Sequence, residues 1–381
     1  MKRRRFLVAG LAATVPGMAM AEGAWLSPPR MTRPDIASDE GGLWALMDRE
    51  ETKLRRSPFA IRDAEFSRYV QEIACRLAGD HCADVRVHLV RNRYFNANMA
   101  PNGMMQVWSG LLLRVDNEAQ LAAVLGHEIG HYLQRHTITQ LRDAKARSAF
   151  GQFLGMFGVA GLVGQIGMLA GAFAFSREHE READRIGLTL MSRAGYDPRE
   201  AAKVWDNLLL ELKAGPNGDP GKSNPLFATH PAVEERTETL NKLAAELPTG
   251  VTNEQVWQQK TAPFRREWLN EEVKRGQFDE SLALLTRLVG RSPAQPDYLW
   301  ARGDIYRLRG NATDLDSAIA DYMAAAALGG EPPETHRGLG MAYRARGQVA
   351  EARASFLRYL ELAPQASDSL MIKNYMEELG A

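Results

Sequence analysis

Apolar positions recur at helical spacing through Leu43, Leu46 and Met47 and again through Phe66, Tyr69, Val70 and Ile73, so 43–77 reads as helix. Val85, Val87 and Leu89 alternate with Arg86 and His88, the period of two of a half-buried strand. Asn102-Gly103 then marks a turn ahead of a second strand, Met104 to Trp108. Asn117, with Gln120 three positions on as its capping-box partner, starts a helix that runs through His127 and His131. Ser176 caps another that ends at Gly195, and Asp197-Pro198 opens the next, with Asp as cap and Pro at the first helical position. Between them, Ala149 to Phe175 carries no charge and seven glycines. Glycine at nearly every third position weakens a lone helix, and Gln152 and Gln165 interrupt the run. The stretch therefore reads as a packed or mobile apolar loop rather than a membrane span.

A shift to Pro, Thr, Gly and Gln near 247–262 sets a domain boundary, with a linker over 251–262 between a domain at 41–250 and a second at 263–381. Beyond it the chain repeats. Gly276, Gly310 and Gly347, Ala318 and Ala352, and Tyr306 and Tyr343 recur at intervals near the 34-residue period of tetratricopeptide units, and Pro293, Pro332 and Pro364 close each one. The units fall at 264–293, 297–330 and 334–364, with 366–379 as a capping helix. Such arrays stack into a concave surface that binds other proteins.

Composition narrows the field. With 45% hydrophobic and 25% charged residues, the chain is neither disordered nor a polytopic membrane protein. Its 47 basic and 47 acidic residues cancel, and four of the basic ones are Lys2, Arg3, Arg4 and Arg5. Without residues 1–21 the balance is 43 against 47, or −4, which argues against nucleic acid as a partner. Residues 1–21 comprise a basic start, an apolar run from Phe6 to Met18 and the ending Ala19-Met20-Ala21, the pattern of a signal peptide cleaved before Glu22. The run is shorter than the ~20 residues of a membrane span, and Pro16 interrupts it. Arg3-Arg4-Arg5-Phe6-Leu7 also fits a twin-arginine signal, so Sec and Tat routes both remain open. Residues 22–40, rich in Pro, Ser and charge, read as a poorly ordered leader. Export to an oxidising compartment favours a local disulfide between Cys75 and Cys82 over a metal site at that pair.

The chemistry concentrates at His127-Glu128-Ile129-Gly130-His131. On a helix, residues i and i+4 share a face, so His127 and His131 can both point at one zinc ion. Glu128 is rotated about 100° from His127, which places it to reach a water at the metal rather than the metal. A catalytic zinc takes three protein ligands and keeps one open position. Glu180 and Asp184 are again i and i+4, so Glu180 can complete the site while Asp184 orients a ligand histidine. Glu178 and Glu182 read as a solvated helix start, where acids suit the dipole. His81, His88, His136, His179 and His336 have no partner spacing and read as structural or surface histidines. A purely structural zinc site is a poor fit, because such sites are closed and usually built from cysteines.

His127-Glu128-Ile129-Gly130-His131, then Ser176-Arg177, Glu180, Glu182-Ala183-Asp184 and Gly187, then Gly195-Tyr196-Asp197-Pro198 and Ala228-Thr229-His230-Pro231, together resemble the peptidase family of the CaaX prenyl endopeptidase and HtpX. The repeats and the signal peptide place the resemblance in its periplasmic BepA-like branch. The resemblance implies an α+β zincin-like (gluzincin) protease domain, mostly helical with a small sheet, followed by an all-α tetratricopeptide domain. It implies one zinc per chain held by His127, His131 and Glu180, with Glu128 and Asp184 as catalytic residues. His230 would be a fourth ligand on the zinc or a stabiliser of the transition-state oxyanion; a surface-loop histidine is the alternative. The same resemblance puts Asn96-Ala97-Asn98 and the strand at 104–109 on the cleft rim, as an edge strand pairing with extended peptide. The sequence departs from the family's usual run at Asn98-Met99.

Two functions compete. One is a periplasmic zinc endopeptidase acting on misfolded or assembling outer-membrane proteins and their assembly machinery, recruited through the repeats, with 149–175 as the candidate for peripheral membrane contact. The other is a repeat-based assembly chaperone or adaptor whose protease site is usually latent. Loss of His230 from a fourth zinc position, by movement of the Gly/Pro-rich 215–225 loop, would separate the latent state from the active one.

Overall fold

A computed structural model of the chain describes residues 25–146, 175–216, 226, 230 and 234–380. The expected signal peptide, nearly all of the apolar loop and most of the 215–225 loop lie outside the described residues.

The first apolar stretch is two helices, α1 (Asp39–Arg56) and α2 (Ala64–Ala78), rather than one. The break falls at Ser57-Pro58, and Asp63 restarts the chain by accepting from the Phe66 amide at 2.8 Å. The segment before α1 is not a loose leader. Among residues 25–34, only Trp25, Pro28, Met31 and Pro34 are half-buried; the rest are exposed. Arg193 donates to the Trp25 carbonyl at 2.6 Å, and Arg30 grips Asp84 through two hydrogen bonds at 2.6 and 2.8 Å. Its composition signalled disorder, but a few long-range anchors tie it down.

After a 3₁₀ turn (Gly79–Asp84) come β1 (Arg86–Val90), β2 (Ala97–Met99) and β3 (Met104–Trp108). β3 pairs parallel with β1 and antiparallel with β2, in the order β1-β3-β2. The strand at 104–108 is therefore central and fully buried, and the sheet's edge beside the histidine helix is β2. Alternation reports the faces of a strand, not its place in the sheet. Met105, Val107, Ala97 and Met99 join the main core, while Met104 and Trp108 pack under Leu43 and Met47 of α1. The strand stops at Trp108, because Ser109 opens α3 (Ser109–Arg114). Cys75 and Cys82 are joined by a disulfide.

α4 (Glu118–Leu133) starts where Asn117 Oδ1 accepts from the Gln120 amide at 2.9 Å. Gln120 Oε1 reaches back to the Asp116 amide, one residue before the expected capping-box partner. Arg135 then takes a left-handed conformation (φ 58°), unusual for a non-glycine, and turns the chain into α5 (His136–Ala146). Ser176 caps α6 (Arg177–Arg193) through the His179 amide. α7 (Glu200–Ala214) starts later than expected: Asp197 Oδ1 accepts from the Arg199 amide in a turn, and regular helix begins at Glu200. α8 is Glu234–Ala245.

The expected 251–262 linker is instead mostly helix α9 (Glu254–Thr261), running into a 3₁₀ turn at Ala262–Phe264. Trp257 is buried beside Phe66, with ring centroids 6.3 Å apart, and its Nε1 donates to the Val115 carbonyl at 3.0 Å. The polar composition hid one buried aromatic anchor. The repeats follow as α10 (Arg265–Val273) with α11 (Phe278–Arg291), α12 (Pro296–Arg309) with α13 (Asp314–Leu328), α14 (Glu334–Ala345) with α15 (Val349–Leu362), and α16 (Ser369–Glu378). Gly276, Gly310 and Gly347 recur because each follows the first helix of its pair with φ between 72° and 75°. The first repeat is welded to the N-terminal core. Arg114 is buried between Glu211 of α7 and Glu272 of α10, at 2.7 and 2.8 Å. Removing either acid would leave a buried charge underpaired, at a cost of about 3–5 kcal/mol.

Candidate metal centre

The site is built where α4 and α6 cross with almost no side chain between them. A Cβ on Gly130 would meet the Ala183 backbone at 3.0 Å, and one on Gly126 would meet the Gly187 carbonyl at 3.2 Å. This close approach sets Glu180, on the first turn of α6, against the histidine face of α4. His127 Nε2 and His131 Nε2 lie 3.1 Å apart, and Glu180 Oε2 and Oε1 are 3.5 and 3.4 Å from them respectively. His230 enters from the other side, its Nδ1 2.9 Å from Glu180 Oε1 and 3.3 Å from His127 Nε2. One ligand atom from each of the four lies within 4.8 Å of the others, and all four residues are buried. Three imidazoles and a carboxylate suit a tetrahedral divalent metal such as zinc. Among the described residues Glu128 Oε1 is buried there with no hydrogen-bond partner, and Glu180 Oε2 has none either, although it faces the Arg236 guanidinium 3.2 Å away; a cation would relieve Glu128.

Burial opposes ionisation of Glu180, but the charge on His230 and hydrogen bonds from His131 and His230 hold its carboxyl well below the usual range. Burial pushes Glu128 upward, helped by Glu180 and opposed by His230, His127 and Arg236. Glu128 Oε1 is 3.7 Å from His230 Nε2 and is not one of the four converging donors.

Asp184 lies behind His127, its Oδ1 2.9 Å from His127 Nδ1. That contact fixes the tautomer in which Nδ1 carries the proton and Nε2 keeps its lone pair. Arg236 holds Asp184 at 2.6 and 2.8 Å from beside the cluster, its Nη2 also 3.0 Å from His127 Nδ1 and its Nη1 3.2 Å from Glu180 Oε2, and its guanidinium lies 3.8 Å above the Trp205 ring. Sequence reasoning missed Arg236 because α8, on which it sits, docks on the site only through tertiary packing.

The histidines set aside as structural divide in two. His88 pairs with Glu51, His336 with Glu331, and His81 with the Pro28 carbonyl, all away from the cluster. His136 belongs to the site: its Nδ1 is 2.9 Å from His131 Nδ1 and its Nε2 is 3.2 Å from Glu182. Burial, with the charge on His179, pushes His136 down to about 4, so it is neutral near pH 7. A neutral His136 donating to Glu182 accepts from His131 Nδ1–H, which leaves His131 Nε2 facing the cluster. His179 stacks on His136 at 4.1 Å, and Phe175 stacks on His131 at 3.9 Å. Glu182 thus does more than solvate a helix start, whereas Glu178 is exposed beside Arg181. The signal for His136 was its place five residues after His131, off the ligand face until Arg135 turns the chain.

Comparison with known proteins matches this layout. A family profile described as peptidase family M48 covers residues 60–244, and tetratricopeptide-repeat profiles cover 267–314 and 333–366. A beta-barrel assembly-enhancing protease of Yersinia pestis is 30% identical over 264 residues, covering 63% of this chain and 53% of its own length. The protein of that name in Escherichia coli strain K12 is 28% identical over 239 residues, covering 57% and 48%. A mitochondrial metalloendopeptidase OMA1 of Saccharomyces cerevisiae is 37% identical over 151 residues, covering 39% and 43%. The chain spans about half the length of the curated relatives it matches.

Proposed function

From a chain whose residues 60–244 match the profile of peptidase family M48 ahead of tetratricopeptide-repeat matches, we propose a zinc-dependent endopeptidase of the periplasm that acts on assembling or misfolded outer-membrane proteins. The observation that carries the reading is the convergence of His127, His131, Glu180 and His230 with Glu128 beside them. His127, His131 and Glu180 are the metal's ligands, and His230 is the fourth when the site is at rest. When bound, the metal polarises a peptide carbonyl and makes a water more acidic. Glu128 takes the proton from that water and returns it to the leaving amine. Asp184, held by Arg236, and the pair Glu182–His136 keep His127 and His131 in the tautomers the metal needs.

The periplasmic location rests on the reading of residues 1–21 and the Cys75–Cys82 disulfide. Among the described residues, no helix is long and apolar enough to cross a membrane. The relatives' name supplies the substrate class, and the repeats supply a surface on which such proteins could be held. A second reading, mainly a chaperone with a latent protease, is favoured by His230 closing the donor set. Deleting 263–381 is a poor way to separate the two, because it would strand Arg114 without Glu272.

Metal analysis of the purified chain is expected to find about one zinc per chain, and a chelator is expected to abolish cleavage of an unfolded protein substrate until zinc is restored. Cleavage that survives complete metal removal sinks the reading. The His136→Ala chain is expected to bind zinc about 10–100-fold more weakly in a competition titration, because His131 loses the acceptor that fixes its ring. Unchanged affinity would mean that His136 only fills space.

A further inference from the structure

The half-buried positions of the segment 25–34 fall every third residue: Trp25, Pro28, Met31 and Pro34. A three-residue period, with Pro28, Pro29 and Pro34 in the run, is that of a polyproline II strand. The strap is anchored on both sides of its centre. Upstream, the Pro28 carbonyl meets His81 Nε2 at 2.9 Å; downstream, Arg33 pairs with Asp48 at 2.5 Å. Between them Met31 lines a pocket with Met99, Pro101, His131, Tyr132, Arg135 and Ile138. One wall of this pocket is therefore a proposed metal ligand. Another is Met99, the last residue of the edge strand β2.

We propose that this pocket is a side-chain subsite of the cleft for an unbranched apolar residue of the substrate, and that Met31 occupies it in cis. The proposal rests on the endopeptidase reading and specifies its substrate preference. A peptide lying along β2 pairs through its backbone and points alternate side chains toward α4, where the pocket opens. The apolar walls are Met99, Pro101, Tyr132 and Ile138; the polar ones are Thr137, the edge of His131 and the mutually neutralising pair Glu40–Arg135, whose guanidinium touches the Met31 thioether at 4.0 Å. Methionine, unbranched and polarisable, suits such an irregular site. The strap itself is a poor substrate. Pro28, Pro29 and Pro34 lack the amide hydrogen that strand pairing needs, so the strap delivers one side chain without laying a scissile bond along the edge. Downstream of Met31 it is tied by Arg33 to Asp48, side chains 67% and 37% accessible, whereas upstream it is held by Arg30 on Asp84, by Arg193 on the Trp25 carbonyl and by the buried His81. An incoming peptide can displace the downstream half, which carries Met31.

The test uses the full chain with Met31→Gly and Met31→Leu, and two readouts. Glycine leaves the pocket empty, whereas leucine fills it. A fluorescent peptide with the sequence of residues 24–35 is expected to bind Met31→Gly at least tenfold tighter than the wild-type chain or Met31→Leu, because in those two the site is already filled. In cleavage of a peptide series varied at one position, KM for the methionine and norleucine members is expected to fall about tenfold in Met31→Gly, with kcat unchanged. Peptide binding that is equal across the three chains overturns the proposal. So does a uniform KM change that ignores the varied side chain. Tight, Met31-dependent peptide binding in a chain that cleaves nothing keeps the pocket and removes the endopeptidase reading. Normal cleavage without such binding does the reverse.

Discussion

The Glu128→Gln chain is expected to keep its metal at wild-type stoichiometry and to lose cleavage by a factor of about 10²–10⁴ or more. The two halves of that result have separate causes. Metal retention follows because Glu128 is outside the four converging donors, and glutamine matches its shape. Loss of cleavage follows because an amide cannot accept the proton that the attacking water must give up. The surroundings suit a base: burial raises the Glu128 carboxyl, and a higher pKa makes a stronger acceptor close to neutral pH. Its Oε1 has no hydrogen-bond partner among the described residues, so it is not committed elsewhere. Cleavage of an unfolded substrate, measured alongside metal content, checks both halves. Full activity with metal bound would reject Glu128 as base. Loss of metal together with activity would instead make it a structural support for the cluster.

Most of this centre was legible because it obeys local rules. His127 and His131 sit one helical turn apart, as do Glu180 and Asp184, and the period of a helix suffices to place each pair on one face. The recurrence of glycine at 34 and 37 residues was equally readable, since a left-handed residue follows each first helix. What was not legible depends on how elements pack. Arg236 acts on Asp184 from a helix separated from α6 by forty residues. His136 reaches His131 only through the left-handed Arg135, and nothing in the sequence marks an arginine for that conformation. The central place of β3 follows from parallel pairing with β1, which alternation cannot predict. The strap at 25–34 and helix α9 were hidden by polar composition, because a few anchors, such as Met31 and Trp257, fix segments that average as loops.

In the proposed mechanism His230 closes the resting site, so the His230→Ala chain is expected to keep its metal and cleave faster. His127, His131 and Glu180 remain as three ligands, which suffice for a catalytic site. In the structure the His230 side chain is buried, with Nδ1 toward Glu180 and His127 and Nε2 toward Glu128. When it binds a metal the His230 imidazole is neutral, and in that corner it would take the place a water needs, next to the base that would deprotonate it. The gain measures how often the corner is vacated: if the closed form outnumbers the open one by about 100 to 1, removing His230 raises kcat/KM by about 100-fold. The stem of the segment carrying His230 also touches the repeats. A Cβ on Gly215, just after α7, would fall 2.6 Å from Glu280 Oε1 of α11, so the first repeat packs directly against the start of that segment. The opposite outcome is equally clear. If His230→Ala retains zinc but cleaves about 10²–10³-fold more slowly, His230 stabilises the developing oxyanion, and the closed arrangement is no latch.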